Sequence, residues 1–594
     1  MTVASPPAAI EAALARIDDI ADRRFGEWRV PGLVYGVVLG GELIHARGLG
    51  TLRIGEDAPP TPSSAFRIAS MTKSFTAATV LHLRDEGRLR LDDEAERHVP
   101  ELASLRYPTT DSPRITIRHL LTMTAGFPTD DPWGDRQQDL DLADFSELLR
   151  GGLGFAWAPG TRFEYSNTGY GILGRLITTV AGREYREVVR ERLLEPLEMA
   201  STGYLEEEIP PERLARGYVW RDGAFVEEPM DGYGALASMG GLFTTIEDLA
   251  SWVAFFLDAF PARDDPEDGP LSRATRREMQ QPMVPETLRV THDSADALPD
   301  GEATHYGFGL FQVESLKIGR VIGHGGGYPG FGSAMRWHPA SGLGLIAVSN
   351  TRYGPAAPLA REQMLELLRA DVAPLRRTRP NEATEAARAA VERLLVEWDD
   401  TLASQLFAMN IELDEPIAAR KAFIEGLRAR HGALRPDPDI PTESLTSHHL
   451  VWWLAGERGR LKLEILMSPE LPPRVQTFAI TSVPEPPDAL RDAAQRIVAA
   501  LEAVPPLPVA WPHDVAVGSD VEIAALNRSL AAAAARFAPL TLGPVIDGDG
   551  EAKATWRLHG ERGQIDLALT FDAPANCLAS VALIPLRAVP LNLD

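Results

Sequence analysis

Phe66-Arg67-Ile68-Ala69-Ser70-Met71-Thr72-Lys73-Ser74-Phe75-Thr76-Ala77-Ala78 is the stretch on which the reading of this chain turns. It sets a serine three residues before a lysine, at the start of a run that reads as a helix from about Ser70 to Glu86. On a helix that spacing puts both side chains on one face, one turn apart. A lysine held out of water beside a hydroxyl can take its proton, which makes a serine nucleophilic without a histidine. Arginine cannot do this, because its guanidinium stays protonated in proteins. The chain has only five lysines, Lys73, Lys317, Lys421, Lys462 and Lys553, within a total of 59 lysines and arginines, so a lysine at this position is informative.

At 594 residues the chain is too long for one ordinary domain, and two to four are expected. Its 44% hydrophobic and 24% charged residues are those of a globular protein with sizeable cores. A net charge of -25 argues against nucleic acid and anionic membrane surfaces as partners. The single cysteine, Cys577, excludes an intramolecular disulfide and a cysteine-based metal cluster, and no metal or other cofactor is expected. The N-terminus leads into an amphipathic stretch from Ile10 to Phe25 without the basic and apolar regions of a signal peptide. No apolar run reaches the length of a membrane span, so a cytoplasmic protein is expected if Met1 is the true start.

Working outward, Leu33 to Leu39 and Leu43 to Ala46 flank Gly40-Gly41 and read as a β-hairpin. Helices are expected from Thr116, from Thr168 to Ala181, and from Ile246 to before Pro261. Strands follow near 309–313, 320–323, 333–338 and 343–349, then a helix over 360–370. The class is α+β, with a sheet that draws on both ends of the first domain. A Pro- and Arg-rich texture marks a linker over 374–383, closing a domain of residues 8–373. Beyond it Trp452-Trp453-Leu454-Ala455-Gly456-Glu457-Arg458-Gly459 can be laid on Trp556-Arg557-Leu558-His559-Gly560-Glu561-Arg562-Gly563. This predicts two repeated small α+β domains, 384–486 and 487–594, with no catalytic constellation in either.

Two further segments carry chemistry. Tyr165-Ser166-Asn167 lies just before a helix, where a loop could deliver side chains into a cleft. A tyrosine near a lysine cation is expected to have a lowered pKa and to act as general base or acid. Asn167 could orient a substrate amide or the lysine. Gly323-His324-Gly325-Gly326-Gly327 follows an apolar strand, and its glycines let backbone approach a substrate and present an N–H to an oxyanion.

S-x-x-K at Ser70, Y-x-N at Tyr165 and H-x-G at His324, in this order and spacing, resemble the serine β-lactamase and penicillin-binding-protein superfamily. The likeness is to its class C-like branch, with D-alanyl-D-alanine carboxypeptidases, D-aminopeptidases and related esterases. It covers about residues 10–375. The resemblance implies a β-lactamase-like domain: an antiparallel sheet with helices on both faces and a helical subdomain. It also implies catalytic residues Ser70 as acylated nucleophile, Lys73 as the amine that takes or relays its proton, and Tyr165 as general base in acylation and acid toward the leaving group. Asn167, His324, Gly325, Gly326, Gly327 and Arg352 would bind substrate, with the N–H groups of Ser70 and Gly327 forming an oxyanion hole. The chain departs from the pattern where lactamases carry Lys-Thr/Ser-Gly and it has His324-Gly325-Gly326. A fixed cation and a hydroxyl are missing, although a histidine could be partly charged near neutrality. The expectation is therefore a serine hydrolase acting on a small amide, D-amino-acid peptide or ester. The alternatives are β-lactamase activity proper and a non-catalytic peptide-binding protein of the same fold. The C-terminal repeats could join copies into a homo-oligomer.

Overall fold

A computed structural model describes residues 7–291, 300–316, 318–370, 372–373, 378–502, 520–537, 539–560, 563–572 and 577–585. The chain divides into two compact units, one of Met1–Arg289 and Gly301–Arg376, the other essentially of Arg377–Asn592 together with Val290–Asp300.

The first unit is built on an eight-stranded sheet. Its strands are β1 (Gly32–Leu39), β2 (Glu42–Gly50), β3 (Val284–Thr291), β4 (Asp300–Tyr306), β5 (Phe311–Ser315), β6 (Gly319–Tyr328), β7 (Phe331–His338) and β8 (Leu343–Ser349), in the order β2-β1-β8-β7-β6-β5-β4-β3. The expected hairpin closes at Gly40 and Gly41, both at positive φ, which is why a glycine pair stands at the turn. Strand β1 then pairs antiparallel with β8, Leu33 opposite Ser349 and Leu39 opposite Leu343, so the two ends of the domain meet in mid-sheet.

Every residue of β8 is buried, because both faces of the sheet are covered. Leu343, Leu345 and Ala347 pack with helix α1 (Pro7–Glu27) and helix α5 (Ala356–Arg369), through Ala13, Ile17, Leu359 and Met364. Ile346 and Val348 face the other way, into the main core. That core holds helix α2 (Thr72–Asp85), helix α3 (Asn167–Ala181) and helix α4 (Ile246–Leu257). Trp252 of α4 stacks on Phe75 of α2 at 3.9 Å and donates its indole N–H to Ser74 Oγ at 3.1 Å, fixing the helix that follows the serine.

The strand expected over 320–323 is longer: β6 runs on through the glycines to Tyr328, with Gly325 opposite Ala334 and Gly327 opposite Gly332. Strands β3 and β4 were not expected, because 284–306 lacks an apolar alternation.

The second unit holds two four-stranded antiparallel sheets, Arg435–Pro436, His449–Gly456, Gly459–Met467 and Val475–Val483, then Leu540–Gly548, Lys553–Gly560, Gly563–Asp572 and Cys577–Pro585. Gly456 pairs with Gly459 and Gly560 with Gly563 at the matching turns, of which Glu561 and Arg562 lie outside the described residues. One apolar cluster joins Trp453 and Val483 to Leu490, Ile497, Trp556 and Leu567, so the two halves share a core. Helix Glu382–Val396 starts inside the expected linker, capped by Asn381, whose Oδ1 accepts from Thr384 N at 2.9 Å; residues 374–377 lie outside the described residues. Among the described residues no helix is long and apolar enough to cross a membrane.

Candidate active site

Ser70 sits in a tight turn, Ala69–Met71, ahead of α2 rather than on it. Ala69 has φ +50°, the left-handed region that a non-glycine residue occupies only when its surroundings hold it there. The holding contacts are visible. Ile68 N–H donates to Leu242 O at 2.9 Å, and Ser333 Oγ of β7 donates to Ile68 O at 2.6 Å. Gly326 lies against the same turn, where a Cβ would collide with Ile68 O and Ser333 Oγ.

Lys73 is wholly buried. Its Nζ is 3.0 Å from Ser70 Oγ, 2.7 Å from Asn167 Oδ1 and 2.8 Å from Met239 O. Those three acceptors match the three N–H groups of an ammonium. Burial pushes the Lys73 pKa down to about 8, against the attraction of Asp131, Asp135 and Asp130. In the neutral form one of the three positions becomes a lone pair, and Ser70 can then donate its hydroxyl to Nζ.

Asn167 was expected to touch substrate. It is buried, and both ends of its amide are engaged: Oδ1 accepts from Lys73, and Nδ2 donates to Asp131 Oδ1 at 2.9 Å. Its place is therefore beside the lysine, at the first turn of α3. Ser166 caps that helix by accepting from Gly169 N at 3.1 Å, and Asp130 accepts from Asn167 N and Thr168 N at 2.6 and 2.8 Å.

Tyr165 is half-buried, with its ring centroid 5.0 Å from Lys73 Nζ and its hydroxyl close enough to Ser70 for the two to interact. The expected lowering of its pKa is reversed. Burial first, then the charge of Asp131, push the phenol well above its usual value, and Ser70 opposes them only in part. Tyr165 is thus a proton donor at neutral pH.

His324 also differs from expectation. It is buried among Tyr306, Phe311 and Tyr165, with ring centroids 6.0, 5.1 and 6.3 Å away. Burial, then the charge of Lys73, push its pKa down to about 3, so it is neutral rather than a partial cation. Its Nδ1 donates to Gly325 O at 2.5 Å, leaving Nε2 to accept from Tyr306 Oη at 3.4 Å. Arg352 is not a free substrate partner: it is ion-paired with Glu228, a buried carboxylate that also meets Arg136 at 3.2 Å. Gly325, Gly326 and Gly327 extend β6 past Gly323, where its pairing with β5 ends, so among the described residues one edge of this stretch has no strand beside it.

The aspartates were missed. Asp130, Asp131 and Asp135 lie in Thr129-Asp130-Asp131-Pro132-Trp133-Gly134-Asp135, and three carboxylates around a Pro-Trp-Gly turn were the available signal. Asp135 is raised to about 6 by burial, opposed by the hydroxyl of Tyr353, which donates to its Oδ2 at 2.8 Å, and by Lys73. The ionised carboxylate therefore costs stability as pH rises through 6, and Tyr353 offsets part of that cost. Tyr353→Phe should lose about 1–3 kcal/mol at pH 7 and clearly less at pH 5, as read by urea unfolding at both pH values. An equal loss at both would uncouple Tyr353 from the ionised Asp135.

The sequence profile of the Beta-lactamase family matches residues 17–369. The chain is 29% identical over 260 residues to Beta-lactamase-like protein 2 of Dictyostelium discoideum, covering 42% of this chain and 47% of that protein. It is 27% identical over 345 residues to Penicillin-binding protein 4* of Bacillus subtilis (strain 168), covering 55% and 70%. It is 30% identical over 246 residues to Protein flp of Staphylococcus aureus (strain MW2), covering 41% and 49%. The chain thus spans about half the length of the first and third of these relatives. Among solved structures, the octameric penicillin-binding protein homologue from Pyrococcus abyssi matches 97% of this chain and 98% of its own, with TM-score 0.52 and 18% identity, a likeness of fold.

Proposed function

Because this chain belongs to the Beta-lactamase family, we propose that it is a working serine hydrolase that carries the acyl group of a small ester, amide or D-amino-acid peptide on Ser70. The observation that supports this is the buried Lys73 with its Nζ 3.0 Å from Ser70 Oγ. In this reading neutral Lys73 takes the Ser70 proton as Oγ attacks the carbonyl carbon. The N–H groups of Ser70 and Gly327 receive the oxyanion, worth about 3 kcal/mol per donor. Tyr165 gives its proton to the leaving group and regains one from the Lys73 ammonium. Water then releases the acid by the reverse relay. Asn167 orients the lysine and is a positioning residue.

The neutral His324 points to the substrate class. A pocket without a fixed cation at that place gains nothing from a substrate carboxylate there, so uncharged acyl groups are favoured. Purified protein should hydrolyse p-nitrophenyl esters or D-amino-acid amides with kcat/KM at least about 100-fold above that for nitrocefin. His324→Gln should leave the shape of the pH–rate profile between pH 5 and 9 unchanged. A nitrocefin rate equal to the best ester would favour lactam hydrolysis. Covalent labelling without turnover of any substrate would favour the binding-protein reading.

The Bacillus subtilis relative is called a penicillin-binding protein, and we extend to this chain the proposal that penicillin acylates Ser70. We also propose that residues 384–594, read as two α+β repeats, support a homo-oligomer, as the Pyrococcus homologue is described as octameric. A monomer mass by light scattering would remove that proposal.

A further inference from the structure

The face of the sheet turned toward α5 carries a second charged cluster, built on strands β3, β4 and β7 and on α5. Glu302 of β4 is buried and shared by two arginines. Its Oε1 accepts from Arg361 Nη2 at 2.7 Å, and its Oε2 accepts from Arg289 Nε at 3.0 Å, with Arg289 Nη2 at 2.9 Å. Both oxygens are occupied. A third guanidinium, Arg336 of β7, faces the same cluster and makes no hydrogen bond or ion pair among the described residues. Burial and repulsion by Arg361 and Arg289, with Glu302 opposing, push its pKa down to about 10. An arginine left half-buried without a partner costs free energy, in a chain whose net charge of -25 shows how many carboxylates were available to pair it.

Arg336 lines a cavity of about 210 Å³. Thr304, Phe311, Val321, Ala334 and Ala357 form much of the rest of the wall, and Gly323 and Gly325 form part of it from β6. Arg289 and the exposed Glu286 are its other charged lining groups. A cation and an apolar wall in one small space match a ligand with one negative charge and a short hydrocarbon tail. A volume of about seven waters admits an acid of about three to five carbons. The planar fork of an arginine meets a carboxylate with two parallel hydrogen bonds.

We propose that this cavity is a binding site for a short-chain aliphatic carboxylate, held by Arg336 through its charge and by Phe311, Val321, Ala334 and Ala357 through its tail. His324 also lines this cavity and Phe311 packs against its ring, so the cavity adjoins the candidate active site. The proposed contacts do not include Ser70, so the proposal stands whether or not the hydrolase reading does.

The test is calorimetric titration of sodium butyrate into the full-length protein at fixed ionic strength, with butyramide and inorganic phosphate as parallel probes. Butyrate is expected to bind saturably and butyramide not at all, with phosphate at least tenfold weaker than butyrate. Arg336→Met keeps the length of the side chain and removes the charge, and should weaken butyrate at least tenfold. Ala357→Leu fills the cavity, leaves Arg336 in place, and should do the same; it decides the matter if Arg336→Met fails to fold. Ser70→Ala should bind butyrate as the wild type does. Absence of saturable butyrate binding, binding that survives both cavity variants, loss of binding in Ser70→Ala, or tighter binding of phosphate would each overturn the proposal.

Discussion

Ser70→Ala is expected to hydrolyse the best p-nitrophenyl ester roughly 10⁴- to 10⁶-fold more slowly than wild type and to take up no fluorophosphonate. The size of the effect follows from what is removed. Alanine keeps the turn, whose shape is held by Leu242 and Ser333 through the Ile68 backbone and not by the serine hydroxyl. It keeps the proposed oxyanion donors too, since the N–H of residue 70 is unchanged. Only the atom that would carry the acyl group is lost. Intact-mass spectrometry after exposure to the probe reads the covalent step, and a progress curve reads turnover. Labelling that persists in the variant would move the nucleophile elsewhere and sink the site assignment. The fold should survive, because Ser70 is a small side chain and Lys73 keeps its bonds to Asn167 Oδ1 and Met239 O without it.

Lys73→Met is expected to lower kcat/KM by about 10²- to 10⁴-fold and to abolish one limb of the pH profile. With a pKa of about 8, Lys73 is free base in roughly a tenth of molecules at pH 7. Wild-type kcat/KM should therefore rise as pH increases and level off above 8, while Lys73→Met stays flat over that range. Stability supplies a second readout. The folded pKa lies below the unfolded value of about 10.4, so the cost of burying the ammonium is full below pH 8 and disappears as pH approaches 10. Wild type should gain stability relative to Lys73→Met across that window in urea titrations. A wild-type rate limb centred near 6 would instead implicate Asp135, and retention of the limb in Lys73→Met would remove the lysine as base.

The S-x-x-K tetrad was legible because it is local: a three-residue spacing and a rare residue type are both visible in one line of sequence. The hairpin at Gly40-Gly41 and the helices from Ile117, Asn167 and Ile246 were legible for the same reason, each marked by a turn glycine or a capping residue. What the sequence could not supply was environment. Whether Tyr165 sits nearer a cation or an anion in effect depends on Asp131, and nothing in their separation of 34 positions reveals that they share a site. His324 reads as a possible cation until Tyr306 and Phe311 are seen to enclose it. Arg352 reads as available until Glu228 is placed against it. Asn167 reads as a partner of substrate or lysine, and its position between Lys73 and Asp131 is visible only in the structure.

The three consecutive glycines of β6, Gly325, Gly326 and Gly327, also bear on how this fold can change under selection. At Gly326 any side chain would strike the turn that carries the serine, and at Gly327 a Cβ would lie 2.5 Å from the Tyr353 ring. At Gly325 the nearest atoms to an added Cβ are 3.7 and 3.8 Å away, ordinary contact distances. A lineage that carries this strand can therefore experiment at one of the three positions and must conserve the other two. Divergence between relatives should concentrate at position 325, where a hydroxyl or a methyl enters without disturbing its neighbours, and activity drawn from libraries randomised over 325–327 should come back almost wholly through that one codon.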